Sequence, residues 1–365
     1  MSCRLPRSPS PGAAGFGLAV VAAAIAGFAA AAFVVAGREG VAERTPVGAI
    51  RALAGGNVGR DAESPVDIPP AGWVEIVRRT VVLFATNRLM AEAAAVTFYS
   101  LLALFPALTV AVSLTGLFAD PAALDRVVDA LNGIVPQGGL DMLHGQVRAL
   151  VQNGPRGLTI GVAVGLAATL WSANQGSKAL FEALNVIYRE KEKRSYPYFV
   201  LVAFAFTLGA IAFVIVATIG VLLLPVVLRE LGLSDHERDL FGWVRWPIIL
   251  FVVTLFLSSL YRFGPSRENP KWRWVTLGGA LAAISWVAAS FVFSWYVQHF
   301  GSFDRTYGSL GTVVGFMVWL WLSTLVALGG AQLDSEIEHQ TARDTTTGAP
   351  LPLGLRGATQ ADTVA

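Results

Sequence analysis

Four polar side chains recur at helical spacing inside an otherwise apolar stretch between positions 171 and 194. Residues three or four positions apart share one face of a helix. A charge inside a bilayer costs roughly 2.5–3.5 kcal/mol on insertion scales, so a basic member of this group should face the protein interior and pair with an acid. Such a stripe can line the path of an ion or a polar substrate. Its members are Asn174, Lys178, Glu182 and Asn185.

The ion pair expected within this stripe joins Lys178 and Glu182, which lie one helical turn apart. An ion pair within a helix is weaker when the lysine precedes the glutamate than in the reverse order. The pair should therefore also recruit Asn174, Asn185 or a group on another helix. Two roles stay open. The stripe is either a structural polar seam, from which Lys178 can extend its ammonium to the lipid headgroups, or a path for a substrate or an ion.

A proline interrupts the first long uncharged segment of the chain, which runs from 93 to 118. Pro106 lies near its middle. Proline removes an amide donor and crowds the preceding turn, so the helix should kink there. The kink is either a packing feature or a gating hinge, and Pro106 is the candidate hinge.

Two features mark the last long apolar segment, which runs from 310 to 333. Gly311 and Gly315 have the GxxxG spacing that lets helices approach each other closely. Three acidic residues follow the segment directly, and we expect them at a solvated helix end. They are Asp334, Glu336 and Glu338.

The sequence lacks the residue patterns of an enzyme. Its single cysteine, Cys3, excludes an internal disulfide and a cysteine-rich metal site, and its four histidines are scattered singly. It contains no nucleophile with a neighbouring base and no phosphate-binding glycine loop. We therefore expect no catalytic residue, no metal and no cofactor, and the sequence argues against an enzyme or an ATP-driven pump.

The composition is that of a membrane protein. Of the 365 residues, 54% are hydrophobic and only 14% are charged, against about 25% charged in soluble domains. The mean hydropathy is +0.58. The formal net charge is +2, and the sequence contains no basic patch typical of nucleic-acid binding, so no nucleic-acid partner is expected. The fold class predicted is all-α, a polytopic transmembrane helix bundle.

Six apolar segments form the predicted core of this bundle, and a bilayer requires roughly 20 residues for each span. An amphipathic helix at 72–90 precedes them and should lie in the membrane interface. A further uncharged segment at 13–36 predicts an extra N-terminal transmembrane helix or a signal anchor. The six core segments are 93–118, 158–187, 196–228, 246–261, 275–297 and 310–333.

Composition also divides the chain into domains. The six-span membrane domain is predicted at 72–338. Residues 1–36 form the N-terminal hydrophobic helix, and 37–71 form a flexible linker rich in glycine, proline and charge. Residues 339–365 are polar and rich in threonine and glycine, which predicts a disordered tail.

The distribution of lysine and arginine predicts how the chain is oriented in the membrane. Basic residues are densest in the connections around 78–88, 189–194 and 262–273. The connections on the other side are longer, and they mix fewer arginines with aspartates. Because basic loops face the cytoplasm, both ends of the six-span core should be cytoplasmic. We expect a multi-pass protein of a bacterial inner (plasma) membrane.

Five long blocks of sequence resemble the YihY/virulence factor BrkB family, whose older name is ribonuclease BN. The resemblance covers roughly residues 72–358 and implies a six-span inner-membrane protein connected with the cell envelope. The blocks are FYSLLALFPAL at 98–108, WSANQGSKALFEALNVIYREKEKR at 171–194, YRFGPSRENPKWRW at 261–274, SWYVQHFGSFDRTYGSLG at 294–311 and WLWLSTLVALGGAQLDSEIEHQTARDTTTG at 319–348.

The chain departs from the pattern of this family at two positions. Gln332 replaces a glutamate that is usual near the end of the sixth span, which puts a titrating role at this position in doubt. Asp304 replaces the usual asparagine in the loop after the fifth span.

The function that the resemblance and the polar stripe favour is transport or lipid handling in the bacterial envelope without ATP hydrolysis. The expected partners are the lipid bilayer and a lipid or another envelope substrate, and a homo-oligomer stays open. The first alternative is a scaffold for envelope enzymes that transports nothing. A membrane-associated ribonuclease that processes tRNA, as the older family name suggests, is the least favoured because no residue pattern in the chain can activate a water.

Overall fold

The computed structural model describes residues 59–118, 163–230, 235–300 and 311–364, and these are almost entirely helical. A short 3-10 turn at Pro65–Asp67 precedes the first helix. The helices are α1 (Pro70–Thr86), α2 (Leu89–Phe118), α3 (163–187), α4 (Tyr196–Glu230), α5 (Asp235–Phe263), α6 (Trp272–Phe300), α7 (Gly311–Gln340) and the short α8 (Thr359–Asp362).

Each of the six predicted apolar core segments falls on one of the helices α2 to α7, and the all-α membrane bundle is confirmed. Within the described ranges, three helical stretches are long and apolar enough to cross a bilayer: Tyr196–Phe213, Trp272–Val297 and Val313–Gln340. The bent pair α1 and α2 makes a fourth if it counts as one span. The predicted helix at 13–36, residues 119–162 and residues 301–310, which include Asp304, lie outside the described residues.

The sharpest bend near the start of the bundle lies between α1 and α2. The two helices meet at an angle of 62°, and Arg88 between them has a φ of 56°, in the left-handed region. The helix α2 then runs without interruption through position 106. The described side chains of α2 end at Ala103, so a role of Pro106 as a hinge stays a prediction.

The helix α1 is amphipathic, as its sequence predicts. Its buried face includes Gly72, Ile76 and Thr80, and it packs along the end of α7. Ile76 is fully buried beside Trp274 and Ile337 in a small apolar cluster. One side of the helix is thus fixed to the bundle by protein contacts.

The helices α6 and α7 cross at two glycines. A Cβ atom on Gly330 would lie 2.6 Å from the Cβ of Ala282 and 2.7 Å from the hydroxyl of Tyr261. A Cβ on Gly278 would lie 2.5 Å from the carbonyl oxygen of Gly330. By contrast, a Cβ on Gly315 would meet nothing within 4 Å. The close approach predicted from the GxxxG spacing is therefore wrong at Gly315, and the glycines that permit close packing are Gly330, further along α7, and Gly278 on α6.

Residues 341–364 are folded, so the prediction of a disordered tail at 339–365 is wrong for this part of the chain. Arg356 explains much of the difference, because its buried guanidinium donates to backbone carbonyl oxygens of the tail itself. These acceptors belong to Leu351, Arg343, Ala361 and Ala342. A composition rich in threonine and glycine does not reveal that one arginine can organise the segment around it.

The end of the predicted linker is also folded. Thr341 donates a 2.7 Å hydrogen bond from its hydroxyl to the carbonyl oxygen of Ala62, and the Ala342 N–H donates to that of Arg60. Residues 59–69 therefore pack against the start of the tail, and the flexible linker predicted at 37–71 is wrong for these residues. Residues 1–58 lie outside the described part of the chain.

Candidate functional site

A cluster of buried ionic and amide side chains closes one end of the bundle, where α7 ends. We call it the basal cluster. It brings together α1, the connections that follow α3 and α5, and the last turns of α7. Its members are Arg79, Glu190, Arg267, Gln332, Asp334, Glu336 and Glu338.

Arg79 joins α1 to the end of α7. Its Nε donates to the carboxylate of Glu336 at 2.7 Å, and its Nη2 donates to the side-chain oxygen of Gln340 at 2.6 Å. The Glu336 side chain is fully buried and Arg79 is only 15% exposed. A buried charge without a partner is costly, so this pair holds the two helices in register.

Arg267 forms the second buried ion pair, with Glu338. Both side chains are shielded from solvent, and the guanidinium lies 3.9 Å from the centre of the Tyr188 ring. Burial alone would lower the pKa of Arg267, but the carboxylate of Glu338 raises it, so the guanidinium stays charged. Thr345 of the tail donates a 2.6 Å hydrogen bond to the same carboxylate. This pair therefore links the connection after α5, the end of α7 and the tail.

Asp334 and Gln332 lie deeper in the same end of the bundle. An oxygen of Asp334 accepts a 2.7 Å hydrogen bond from the Gly278 N–H of α6. Gln332 is fully buried, accepts from the Asn87 side chain at 3.2 Å and donates to Glu336 at 3.4 Å. The amide at this position, where the family usually has an acid, thus both accepts and donates, which a carboxylate cannot do.

The expectation of a solvated helix end at Asp334, Glu336 and Glu338 is wrong, since all three are at most 1% exposed. The acids follow an apolar run directly, and the arginines that pair with two of them lie far away along the chain. The sequence does contain the partners, since Arg79 follows Arg78 in α1 and Arg267 lies in the basic connection after α5, but nothing in it distinguishes them from the other basic residues. Pairing those arginines with the acids required knowledge of the fold.

The connection after α3 is held by a second polar network. The Asn185 side chain donates to Glu192 at 3.0 Å and accepts from the Ser266 N–H at 2.7 Å. Glu192 also accepts from the guanidinium of Arg194, at 2.7 and 2.8 Å. The Nη2 of Arg194 donates in addition to the Gly264 carbonyl oxygen at 2.8 Å. The connections after α3 and α5 are thereby fixed to each other.

Glu192 should make stability depend on acid pH. Partial burial alone would raise the pKa of Glu192, but the hydrogen bonds from Arg194 and Asn185 lower it from 4.5 to about 2. Because the folded state favours the carboxylate, its contribution is complete above pH 4.5 and is lost as the pH falls towards 2. Thermal unfolding of wild type and Glu192→Gln in detergent should therefore show a wild-type advantage that shrinks across this window. Parallel curves would contradict the assignment.

The structure does not bring the predicted polar stripe together as a unit. Among the described residues, no ion pair joins Lys178 and Glu182, so the predicted pairing is wrong. Glu182 is exposed, whereas the Lys178 ammonium lies 5.9 Å from the ring centre of Tyr196 at the start of α4. Asn174 is buried, with its side-chain oxygen unpaired within the described part, and Asn185 belongs to the network after α3. Whether the stripe lines a path stays a prediction.

An apolar groove of about 470 Å³ runs between α4 and α5. The lining residues recur every three or four positions on each helix, so they lie on the two sides by which α4 and α5 face each other. Several lining residues, including Gly209 and Leu255, are exposed at the outer surface of the bundle. We call it the lateral groove. It is lined by Val202, Ala205, Phe206, Gly209, Phe213, Val252, Leu255, Phe256, Ser259 and Phe263.

A row of aromatic rings forms the floor of the lateral groove. Phe206 and Phe256 lie 5.5 Å apart, and Phe256 stacks on Phe213 at 4.9 Å. Phe206 also meets the fully buried Phe181 at 5.5 Å, and the Arg194 guanidinium lies 5.5 Å from the Phe181 ring. The groove is therefore lined by packed aromatic rings and has a basic residue, Arg194, near the end where α5 finishes. Such a surface suits an apolar chain better than a polar solute.

The fold, with its apolar helices, a lateral groove and a buried ionic base, is that of a polytopic helical membrane protein. The family model for Virulence factor BrkB matches residues 80–351, and the chain belongs to this family. The resemblance inferred from the five sequence blocks is thereby confirmed. No solved structure matches the chain.

Curated relatives share this family. A ribonuclease-like protein, YfkH, of Bacillus subtilis is 29% identical over 252 residues, which cover 67% of this chain and 88% of that protein. The UPF0761 membrane protein NMB0524 of Neisseria meningitidis serogroup B is 29% identical over 270 residues, covering 72% of this chain and only 62% of that protein. The UPF0761 membrane protein NTHI0384 of Haemophilus influenzae is 25% identical over 268 residues, covering 70% of this chain and 92% of that protein.

Proposed function

We propose that this protein handles lipid in a bacterial inner membrane, with both ends of its core in the cytoplasm, and that it does so without ATP hydrolysis. The observation that carries the proposal is the lateral groove between α4 and α5. Its apolar, aromatic lining opens on the outer surface of α4, which is long and apolar enough to cross a bilayer, and of the shorter apolar stretch Pro247–Phe263 in α5. An acyl chain can enter such a groove sideways from the membrane, whereas a water-soluble substrate would find few polar partners there.

The orientation assumed in this proposal agrees with the charges at the base. The connections after α3 and α5 carry many basic residues, and the basal cluster brings both connections to the same end of the bundle. Basic connections face the cytoplasm in membrane proteins, so the basal cluster is the cytoplasmic end. The groove then opens within the membrane, and its end at Phe263 lies towards the cytoplasmic leaflet.

Filling the groove should remove lipid binding. A Cβ on Gly209 would meet nothing within 4 Å, so Gly209→Trp can place its ring in the groove without disturbing the backbone. We expect this variant to retain at most about one fifth of the palmitoyl-oleoyl phosphatidylcholine that wild type retains. The reason is that the ring covers the apolar surface that the acyl chain would bury. Native mass spectrometry of the purified chain after incubation in mixed micelles measures the bound lipid.

Gly315→Trp is the matched control, since Gly315 lies on α7, outside the groove, and its Cβ would also meet nothing within 4 Å. It should retain as much lipid as wild type. Equal retention by all three proteins would show that the groove is not the lipid site. A wild-type protein that carries no lipid would contradict the proposal and favour the scaffold that transports nothing.

Movement of lipid is a separate step and has a separate assay. In liposomes that contain the purified protein and a fluorescent phosphatidylcholine, dithionite should bleach the inner-leaflet label faster than in protein-free liposomes, without added ATP. The Gly209→Trp variant should slow this bleaching and Gly315→Trp should not. The proposal includes no catalysis. Metal-dependent cleavage of tRNA by the same purified protein would instead support the ribonuclease reading.

A further inference from the structure

An arginine lies where the lateral groove meets the end of α5. Arg262 directly precedes Phe263, which lines the groove. It also lies seven residues after Leu255, and hence on the same edge of the helix about 10 Å further along the axis. Its guanidinium stacks on two rings, with its centre 4.8 Å from that of Trp272 and 5.4 Å from that of Phe263. Both rings are partly exposed, at 42% and 44%.

The hydrogen bonds of Arg262 leave one edge of its guanidinium unused. Nη1 donates to the Pro270 carbonyl oxygen. The Nε–H is shielded from solvent and has no partner, and Nη2 makes no hydrogen bond within the described part of the chain. An unpaired buried donor is uncommon in proteins and calls for an explanation. Because Nε is shielded, Nη2 is the unused donor that an oxygen of a phosphate or carboxylate can approach, in a charge-assisted hydrogen bond.

The surroundings of Arg262 contain no acid that neutralises it. Across the described residues, no carboxylate lies within ion-pair distance of Arg262. The neighbouring Lys271 donates to the Asp344 carbonyl oxygen at 2.9 Å, so its charge is not neutralised by that contact either. This contrasts with Arg267 in the same connection, whose charge is matched by Glu338. The end of the groove is therefore positively charged and suits a ligand with net negative charge.

We propose that Arg262 recognises the phosphate of an anionic phospholipid whose acyl chain lies in the lateral groove. The inference rests on the proposed function and adds the class of lipid. Trp272 and Phe263 would lie at the level of the headgroups, where aromatic side chains are enriched, and would hold the guanidinium in place. A zwitterionic lipid offers the same phosphate, but its ammonium would meet the uncompensated charges of Arg262 and Lys271.

Competition between two lipids with identical acyl chains tests the proposal. The purified full-length protein is incubated with equal amounts of palmitoyl-oleoyl phosphatidylglycerol and palmitoyl-oleoyl phosphatidylcholine in mixed micelles, and the bound lipids are counted by native mass spectrometry. We expect wild type to favour phosphatidylglycerol by about fivefold, the effect of one basic residue near a membrane surface. In Arg262→Gln the ratio should fall close to one.

Arg273→Gln is the matched control, because it removes the same charge from an exposed residue one position beyond Trp272. It should keep the wild-type ratio. An unchanged ratio in Arg262→Gln, or an equal fall in Arg273→Gln, would overturn the proposal. Failure of the proposed function is a different result, since it would appear as full lipid retention by Gly209→Trp whatever the headgroup ratio.

Arg262 also supports the fold through its contact with Pro270, so folding is checked by thermal unfolding followed through tryptophan emission. If Arg262→Gln proves unstable, Arg262→Lys decides the question. Lysine keeps the charge but lacks the planar guanidinium that stacks on Trp272 and Phe263 and presents Nη2. The preference for phosphatidylglycerol should then fall to less than half of the wild-type value. An unchanged preference would contradict recognition by the stacked guanidinium.

Discussion

Replacing Arg267 with glutamine is expected to lower the free energy of unfolding by about 3–5 kcal/mol, as for other buried ion pairs that lose one partner. The substitution leaves the carboxylate of Glu338 buried without its counter-charge. It also removes the guanidinium from the Tyr188 ring, 3.9 Å away. Unfolding of the detergent-purified chain by heat or by increasing dodecyl sulfate, followed through tryptophan emission, measures the loss.

The half-exposed Arg78 provides the comparison, because its partner Glu75 is also paired with Arg79 and would not be left without a counter-charge. Arg78 is 47% exposed, and Arg78→Gln should cost no more than about 1 kcal/mol. Replacing both Arg267 and Glu338 with apolar residues of similar size should recover most of the loss, because no unpaired charge remains. If Arg267→Gln costs no more than Arg78→Gln, the basal cluster does not stabilise the fold as described.

Gly278→Ala should be the second strongly destabilising change, with a loss of about 1–3 kcal/mol or more. The new Cβ would lie 2.5 Å from both the Gly330 carbonyl oxygen and an oxygen of Asp334. Backbone atoms of a packed helix cannot move aside cheaply, so α6 and α7 would have to separate. The midpoint of unfolding in detergent is the measurement, and Gly330→Ala should behave in the same way.

Gly315→Ala tests whether steric contact is the cause. This glycine lies in the same helix as Gly330, but an added Cβ meets nothing within 4 Å. Alanine is the better helix former by roughly 0.5–1 kcal/mol, so this variant should be as stable as wild type or more so. A loss at Gly315 equal to that at Gly278 would show that the crossing of α6 and α7 is not the reason.

The helical layout was predictable because it depends on local sequence. A long apolar segment has to satisfy its backbone hydrogen bonds within itself, and it does so as a helix. The six core segments therefore fall on α2 to α7, although α5 begins at Asp235 and not at 246, and α7 continues past 333 to Gln340. The amphipathic α1 was predictable for the same reason, since the spacing of its apolar residues alone specifies the buried face.

The basal cluster depends on partners that are distant in sequence, and this is why the sequence reading missed it. Arg79 and Glu336 are 257 positions apart, and Arg267 and Glu338 are 71 positions apart. Without the fold, three acids after an apolar segment look like an ordinary solvated helix end. The order in the tail has the same origin, because Arg356 and Thr341 act through backbone groups that composition does not distinguish.

The polar stripe on α3 shows the opposite error. Its spacing correctly indicated a shared helical face, but spacing does not say how far that face is covered by other helices. Glu182 is exposed within the described part of the chain, while Asn185 lies against the connection after α5. The lateral groove, for its part, carries no polar signal in the sequence, since apolar residues that line a groove look the same as those that fill a core.

The hydrogen bond from Thr341 to Arg60 bears on the order in which the molecule assembles. It joins residues 281 positions apart, so its formation closes a loop that contains all the long helices from α1 to α7. To form a contact between distant segments, the chain must first lose the conformational entropy of the loop that the contact closes. The helices α4 and α5, by contrast, follow each other directly along the chain. We therefore expect the lateral groove to form early in folding and the base of the bundle to form last.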